Sequence, residues 1–140
     1  DNISKKYGNQ SIIQSIDCYK ESENEKYNVM KNSGKEIFSH NIIECCRSAL
    51  SNGAGEILVN NINNDGSLLG YDLKLIENIS NQINCPILAL GGAGNWQHIL
   101  DLFIKTDVSG ACTQNIFHFT EESILSAKKF LEENNINIRK

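Results

Sequence analysis

The sequence predicts an α/β fold, a parallel sheet covered by helices. Four β-branched or otherwise apolar runs alternate with four segments of helical periodicity, and the runs are apolar nearly throughout, as in strands covered by helices. At 140 residues the chain suits one domain. The first unit is "SIIQSID" (11–17), a polar stretch, and "NIIECCRSALSNG" (41–53), with Asn41 as its N-cap and Gly53 as its stop. The second is "EILVN" (56–60), a loop, and "DLKLIENISNQI" (72–83), where Leu73, Ile76, Ile79 and Ile83 share a face. The third is "PILAL" (86–90), a glycine loop, and "WQHILDLFI" (96–104), with Trp96, Leu100 and Phe103 assigned to packing. The fourth is "VSGAC" (108–112), a loop, and "EESILSAKKFLEENN" (121–135).

Residues 18–39 break this rhythm. Alternation in "KYNVMKN" predicts a hairpin excursion after the first strand, with its turn near Glu23 to Glu25. A long loop at the C-terminal end of a strand is a common place for function. A full (βα)8 barrel needs about 250 residues, so four units make either half of a barrel or a small open sheet. A half-barrel exposes two strand edges and an apolar face, which favours pairing with a second half or a second copy of the chain.

Composition narrows the functions. Hydrophobic residues at 40% and charged residues at 21% are ordinary for a globular chain. No apolar run nears the roughly 20 residues that span a bilayer, so no membrane partner is expected. The net charge of −4, with Lys and Arg scattered, offers no stripe for nucleic acid; a small anionic substrate is the better expectation. The start, "DNISKKYGNQ", has neither an initiator Met nor the features of a signal peptide, and is expected to lie inside a longer protein. The five cysteines, Cys18, Cys45, Cys46, Cys85 and Cys112, form no CxxC pair or zinc spacing and predict reduced thiols in a cytoplasmic protein. Cys85 and Cys112 are expected to be small buried hydrophobes. His40 and His98 suit helix surfaces or caps, His118 a packed position; no metal site is expected.

"SIDCYK", "GAGEILVNNINNDGSLLGYD", "LALGGAG", "IFHF" and "NNINIR", in this order along Ile3 to Arg139, resemble the C-terminal half of the cyclase subunit of imidazole glycerol phosphate synthase. The resemblance implies the (βα)4 half of a TIM (βα)8 barrel. It also implies a histidine-biosynthesis enzyme in which ammonia from a glutaminase partner reacts with a bisphosphorylated ribulosyl substrate. The products are imidazole glycerol phosphate and an aminoimidazole ribotide, and no cofactor is called for.

By the same resemblance Asp17 is one of two general acid/base aspartates; read from position alone, an Asp after a strand can equally cap a turn. Asp65 and Gly66 lie beside the substrate, although "DGS" alone reads as a turn. Asn60 and Asn63 belong to the same substrate loop, but the family usually has Thr where this chain has Asn60, Ser at Asn61 and Asp at Asn63. "GGAG" and "QNIF" occupy the loops after the barrel's seventh and eighth strands, so Gly91 and Gly92 would offer backbone donors and Asn115 a side-chain donor to a phosphate. Leu90 stands where Ser is usual. "GGAG" is not a dinucleotide fingerprint. Glu56, at a strand start, matches part of the gate that admits ammonia; without the resemblance it is a solvated charge. Two other readings compete: a cyclase relative that builds acetamidino groups on surface sugars, and a non-catalytic half-barrel that binds phosphate and self-associates.

Overall fold

A computed structural model describes residues 2–22, 26–114, 116 and 124–139. A short helix α1 (Asn2–Tyr7) and a 3-10 turn (Asn9–Ser11) precede strand β1 (Ile13–Lys20). A hairpin of β2 (Tyr27–Lys31) and β3 (Glu36–Ser39) follows. Then come α2 (Ile42–Ser51), β4 (Glu56–Asn61), α3 (Leu73–Ser80), β5 (Ile87–Leu90), α4 (Trp96–Lys105), β6 (Gly110–Cys112) and α5 (Ile124–Glu133). The sheet order is β3-β2-β1-β4-β5-β6. Strands β1, β4, β5 and β6 are mutually parallel neighbours, while the hairpin adds two antiparallel strands at one edge.

The four parallel strands run in sequence order across the sheet without a reversal. Right-handed crossovers then put every helix on one face, as in a barrel, whereas a doubly wound sheet reverses and covers both. Burial follows this arrangement. Ile16, Cys18, Ile57, Val59, Ile87 and Ala89 are buried under the helices, while the residues between them, Ser15, Asp17, Leu58, Asn60, Leu88 and Leu90, are half-buried or exposed. Ile76, Ile79 and Ile83 pack as the helical spacing predicts, joined by Leu75, and Leu73 is only half-buried. Trp96 and Leu100 are core residues and Phe103 packs at their margin.

Each helix that follows β3, β4 or β5 starts at an Asn or Asp whose side chain accepts the N3 amide: Asn41 from Glu44, Asp72 from Leu75, Asn95 from His98. Gly53, at φ 99°, ends the α2 turn as expected.

The first strand differs from its expected span of 11–17. Gly8 turns the chain, and Ser11 is spent closing the 3-10 turn through its N–H to Gly8 O at 3.2 Å and its hydroxyl to Tyr7 O at 3.0 Å. At the other end, pairing of Lys20 with Tyr27 carries β1 three residues further. The expected turn at Glu23 to Glu25 lies outside the described residues, as do Asn115, His118 and the first residues of the last expected helix. Cys85 and Cys112 are half-buried instead of buried, because Cys85 sits in the loop before β5 and Cys112 in the strand row that faces away from the helices. Cys18 and Cys46 are the thiols in the core, and all five cysteines are free of disulfides. Among the described residues no helix is long and apolar enough to cross a membrane, and no group of three or more His, Cys, Asp or Glu could hold a metal.

Candidate functional site

Register across the parallel strands aligns Asp17 with Asn60, Asn60 with Leu90, and Leu90 with Cys112. This row lies near the C-terminal ends of the strands, on the face the helices leave uncovered. Asn60 Nδ2 donates to Asp17 Oδ1 at 3.1 Å, so the carboxylate is held by a side chain from the neighbouring strand. The opposite atom, Asn60 Oδ1, is buried and has no hydrogen-bond partner among the described residues. Such an acceptor is costly to leave unmade and is ready for a donor supplied by a ligand or by further chain.

Beyond the row, three loops converge on a cleft of about 210 Å³ lined by Asp65, Gly66, Leu90 to Ala93 and Cys112 to Gln114. Of the residues expected to bind substrate or phosphate, the structure brings together Asp65, Gly66, Gly91 and Gly92. Asp17 does not line this cleft but shares its end of the sheet. Gly91 and Gly92 have φ of 97° and 105°, and both are buried. A side chain on Gly91 would lie 2.6 Å from Asn61 O, and one on Gly92 2.7 Å from the Gly70 carbonyl carbon and closer still to its oxygen. The glycines are therefore required by the approach of the neighbouring loops. Their N–H groups enter no backbone hydrogen bond among the described residues, so the same turn leaves donors beside the cleft, where an anion can accept them.

Asn63, expected in the substrate loop, bonds the backbone of the first strand. Its Oδ1 accepts from Lys20 N at 2.7 Å and its Nδ2 donates to Lys20 O at 3.2 Å, so both ends of the amide clamp the end of β1. Glu56 opens β4 opposite Ile13, at the N-terminal ends of the strands and far along the sheet from the glycine loops, as expected. His98 accepts from Gly94 N at 3.1 Å and so braces the loop that follows the two glycines.

Asp72 carries a role that sequence reasoning missed. One oxygen caps α3 through Leu75 N at 3.1 Å. The other accepts from Tyr27 OH at 2.7 Å and from Asn61 Nδ2 at 2.9 Å. An Asp before a helix signals the cap, whereas its second set of partners lies 11 and 45 residues away and leaves no local trace.

Comparison with known proteins agrees with this geometry. The family model described as "Histidine biosynthesis protein" matches residues 1–123. The chain is 39% identical over 137 residues to the imidazole glycerol phosphate synthase subunit HisF of Chlorobium phaeobacteroides (strain BS1), covering 98% of this chain and 54% of that protein. It is 39% identical over 135 residues to the subunit of the same name from Hydrogenobaculum sp. (strain Y04AAS1), covering 96% and 53%. It is 38% identical over 133 residues to that of Bacillus cereus (strain G9842), covering 95% and 52%. The chain thus spans about half the length of the curated relatives it matches.

Proposed function

This chain belongs to the histidine biosynthesis protein family, and on that premise we propose that residues 1–140 are the C-terminal half-barrel of a cyclase-type TIM barrel whose N-terminal half lies outside these residues. In this reading the complete barrel takes ammonia from a glutaminase subunit and converts a bisphosphorylated ribulosyl substrate to imidazole glycerol phosphate and an aminoimidazole ribotide. The observation that carries it is the convergence of Asp65, Gly66, Gly91 and Gly92 on one cleft at the strand C-termini, with Asp17 at the same end of the sheet.

Each residue then has a chemical task. Asp17 transfers protons as general acid and base, held in place by Asn60, whose unpartnered oxygen receives a donor from the substrate. Gly91 and Gly92, with Asn115, hold one phosphate; Asp65 and Gly66 close the opposite side of the same cleft. Asn63 serves the site by fixing the end of β1. Glu56 belongs to the ammonia entrance at the other end of the sheet. The reading calls on no cofactor or metal.

The test is ammonia-dependent turnover of a protein containing both halves. Asp17→Asn is expected to reduce turnover by about 10² to 10⁴ while substrate affinity changes little; full activity of the variant refutes the assignment. A second reading, in which ammonia builds an acetamidino group on a surface sugar, draws on Leu90. Its apolar side chain sits in the row with Asp17 and Asn60 where the family usually offers a hydroxyl. Ammonia incorporation into a sugar by a protein inert toward the ribulosyl substrate would select that reading.

A further inference from the structure

The anion cleft is flanked by a polar relay whose first members lie outside it. Tyr27, on the hairpin, donates to Asp72 Oδ2 at 2.7 Å. The same oxygen accepts from Nδ2 of Asn61, which is only 3% exposed. Asn61 Oδ1 in turn accepts Asn63 N at 3.0 Å, which fixes the amide's orientation. The Asn61 carbonyl accepts Asn64 N at 3.1 Å and Asp65 N at 3.0 Å. Asn64 Nδ2 then donates to Gly70 O at 3.0 Å, and Gly70 N donates to Gly92 O at 2.7 Å. An unbroken chain of hydrogen bonds therefore runs from the hairpin to both sides of the cleft, Asp65 and Gly92. None of Tyr27, Asn61 or Asp72 lines the cleft itself.

We infer that Tyr27 and Asp72 are positioning residues: through Asn61 they hold the 61–70 loop against the Gly91–Gly92 turn and so set the geometry of the anion cleft. The physical ground is that Asn61 sits at the strand end where the loop begins, and a buried amide whose two ends are both engaged has one orientation available. Removing the charge-assisted acceptor at Asp72 leaves the buried Asn61 amide donor unsatisfied, which is the costly case. The hairpin is thereby tied to the site it overhangs in sequence, and it is more than a decoration of the sheet edge. The part of this inference that concerns anion affinity rests on the proposed phosphate role of the cleft; the coupling between hairpin and loop does not.

The experiment uses two variants. Tyr27→Phe removes one donor and keeps the ring. Asp72→Ser keeps a good N-cap for α3 but is too short to reach Tyr27 or Asn61. Amide hydrogen exchange is followed at Asn64, Asp65, Ser67 and Gly70, whose N–H groups are bonded in the loop, with the Ile99 and Leu102 amides of α4 as controls. Inorganic phosphate is titrated in parallel. Tyr27→Phe, which loses one hydrogen bond to a charged group, is expected to raise exchange in the loop about tenfold, and Asp72→Ser, which loses both, to raise it further; phosphate binding should weaken in the same order. The double variant should add little to Asp72→Ser, since that change already removes the bond from Tyr27. Unchanged loop exchange overturns the relay, and so does an equal rise in the α4 controls, which marks general destabilisation. Absence of phosphate binding in the parent overturns the anion reading alone, leaving the exchange data to judge the coupling.

Discussion

Gly92→Ala and Gly70→Ala form a matched pair in which backbone strain is the same and steric surroundings differ. Gly92 has φ 105° and Gly70 has φ 108°, both outside the region where an L side chain sits comfortably, so each Ala pays strain of about 1–3 kcal/mol. At Gly70 the new methyl meets nothing nearer than the His98 ring at 3.6 Å. At Gly92 it would strike the Gly70 carbonyl, a backbone group that cannot swing aside. The loops must separate, and the Gly70 N to Gly92 O hydrogen bond of 2.7 Å is lost with the contact. That bond contributes about 0.5–1.5 kcal/mol net, and the displaced packing adds to it. Gly92→Ala should therefore lie at least about 1 kcal/mol below Gly70→Ala in urea denaturation, with unchanged m-value. Phosphate titration should show the larger loss for the same variant, because the moved turn carries the Gly91 and Gly92 donors. Equal destabilisation of the two variants would refute the close-approach account and return the glycines to a purely conformational role.

Burial pushes the Cys18 and Cys46 thiols from an ordinary 9.0 up to about 12. Iodoacetamide near pH 8 should thus modify Cys45, Cys85 and Cys112 before either of them, as mass spectrometry of quenched samples would show. Because the folded state keeps protons that the unfolded chain releases above pH 9, this contribution to stability is whole below that value and falls away as pH climbs toward 12; stability that holds flat over the window would contradict it. Asn63→Asp keeps the acceptor for Lys20 N but sets a carboxylate oxygen against Lys20 O, 3.2 Å from the present Nδ2. Asn63 is exposed, so the cost at neutral pH should be about 0.5–1.5 kcal/mol, the loss of one hydrogen bond. Repulsion raises the new carboxyl's pKa, so the folded state binds its proton more tightly and the deficit shrinks as pH falls toward 4; a deficit independent of pH would show that the clamp is not electrostatic.

What was legible in the sequence is what local physics decides. Four βα units follow from apolar runs and 3.6-residue spacing, Asn41 from the cap it makes three residues on, and the hairpin from alternation in residues 26–32. The ends of β1 were not legible, because one is set by a turn through Gly8 and the other by a partner strand beyond the loop. Asn63 reads as a substrate contact by resemblance alone; nothing local signals that its amide also spans the Lys20 backbone, 43 positions away. Asp72 opens the second helical segment in the sequence; nothing local signals that its second oxygen holds Tyr27 and Asn61.

The division of labour on the sheet follows from the same facts. Helices on one face leave Leu58, Leu88 and Leu90 on the other, with the polar pair of Asp17 and Asn60 toward the C-terminal end. Apolar strand residues at half burial are unstable partners for water, so this face gains most from being covered by more chain. The polar row cannot be covered in the same way, since Asn60 Oδ1 still needs a donor. A covering element that packs on Leu58 and Leu88 and leaves Asp17 and Asn60 open satisfies both demands. The site is thus placed by where the sheet stops being apolar, and its shape by loops whose hydrogen bonds reach back to the hairpin.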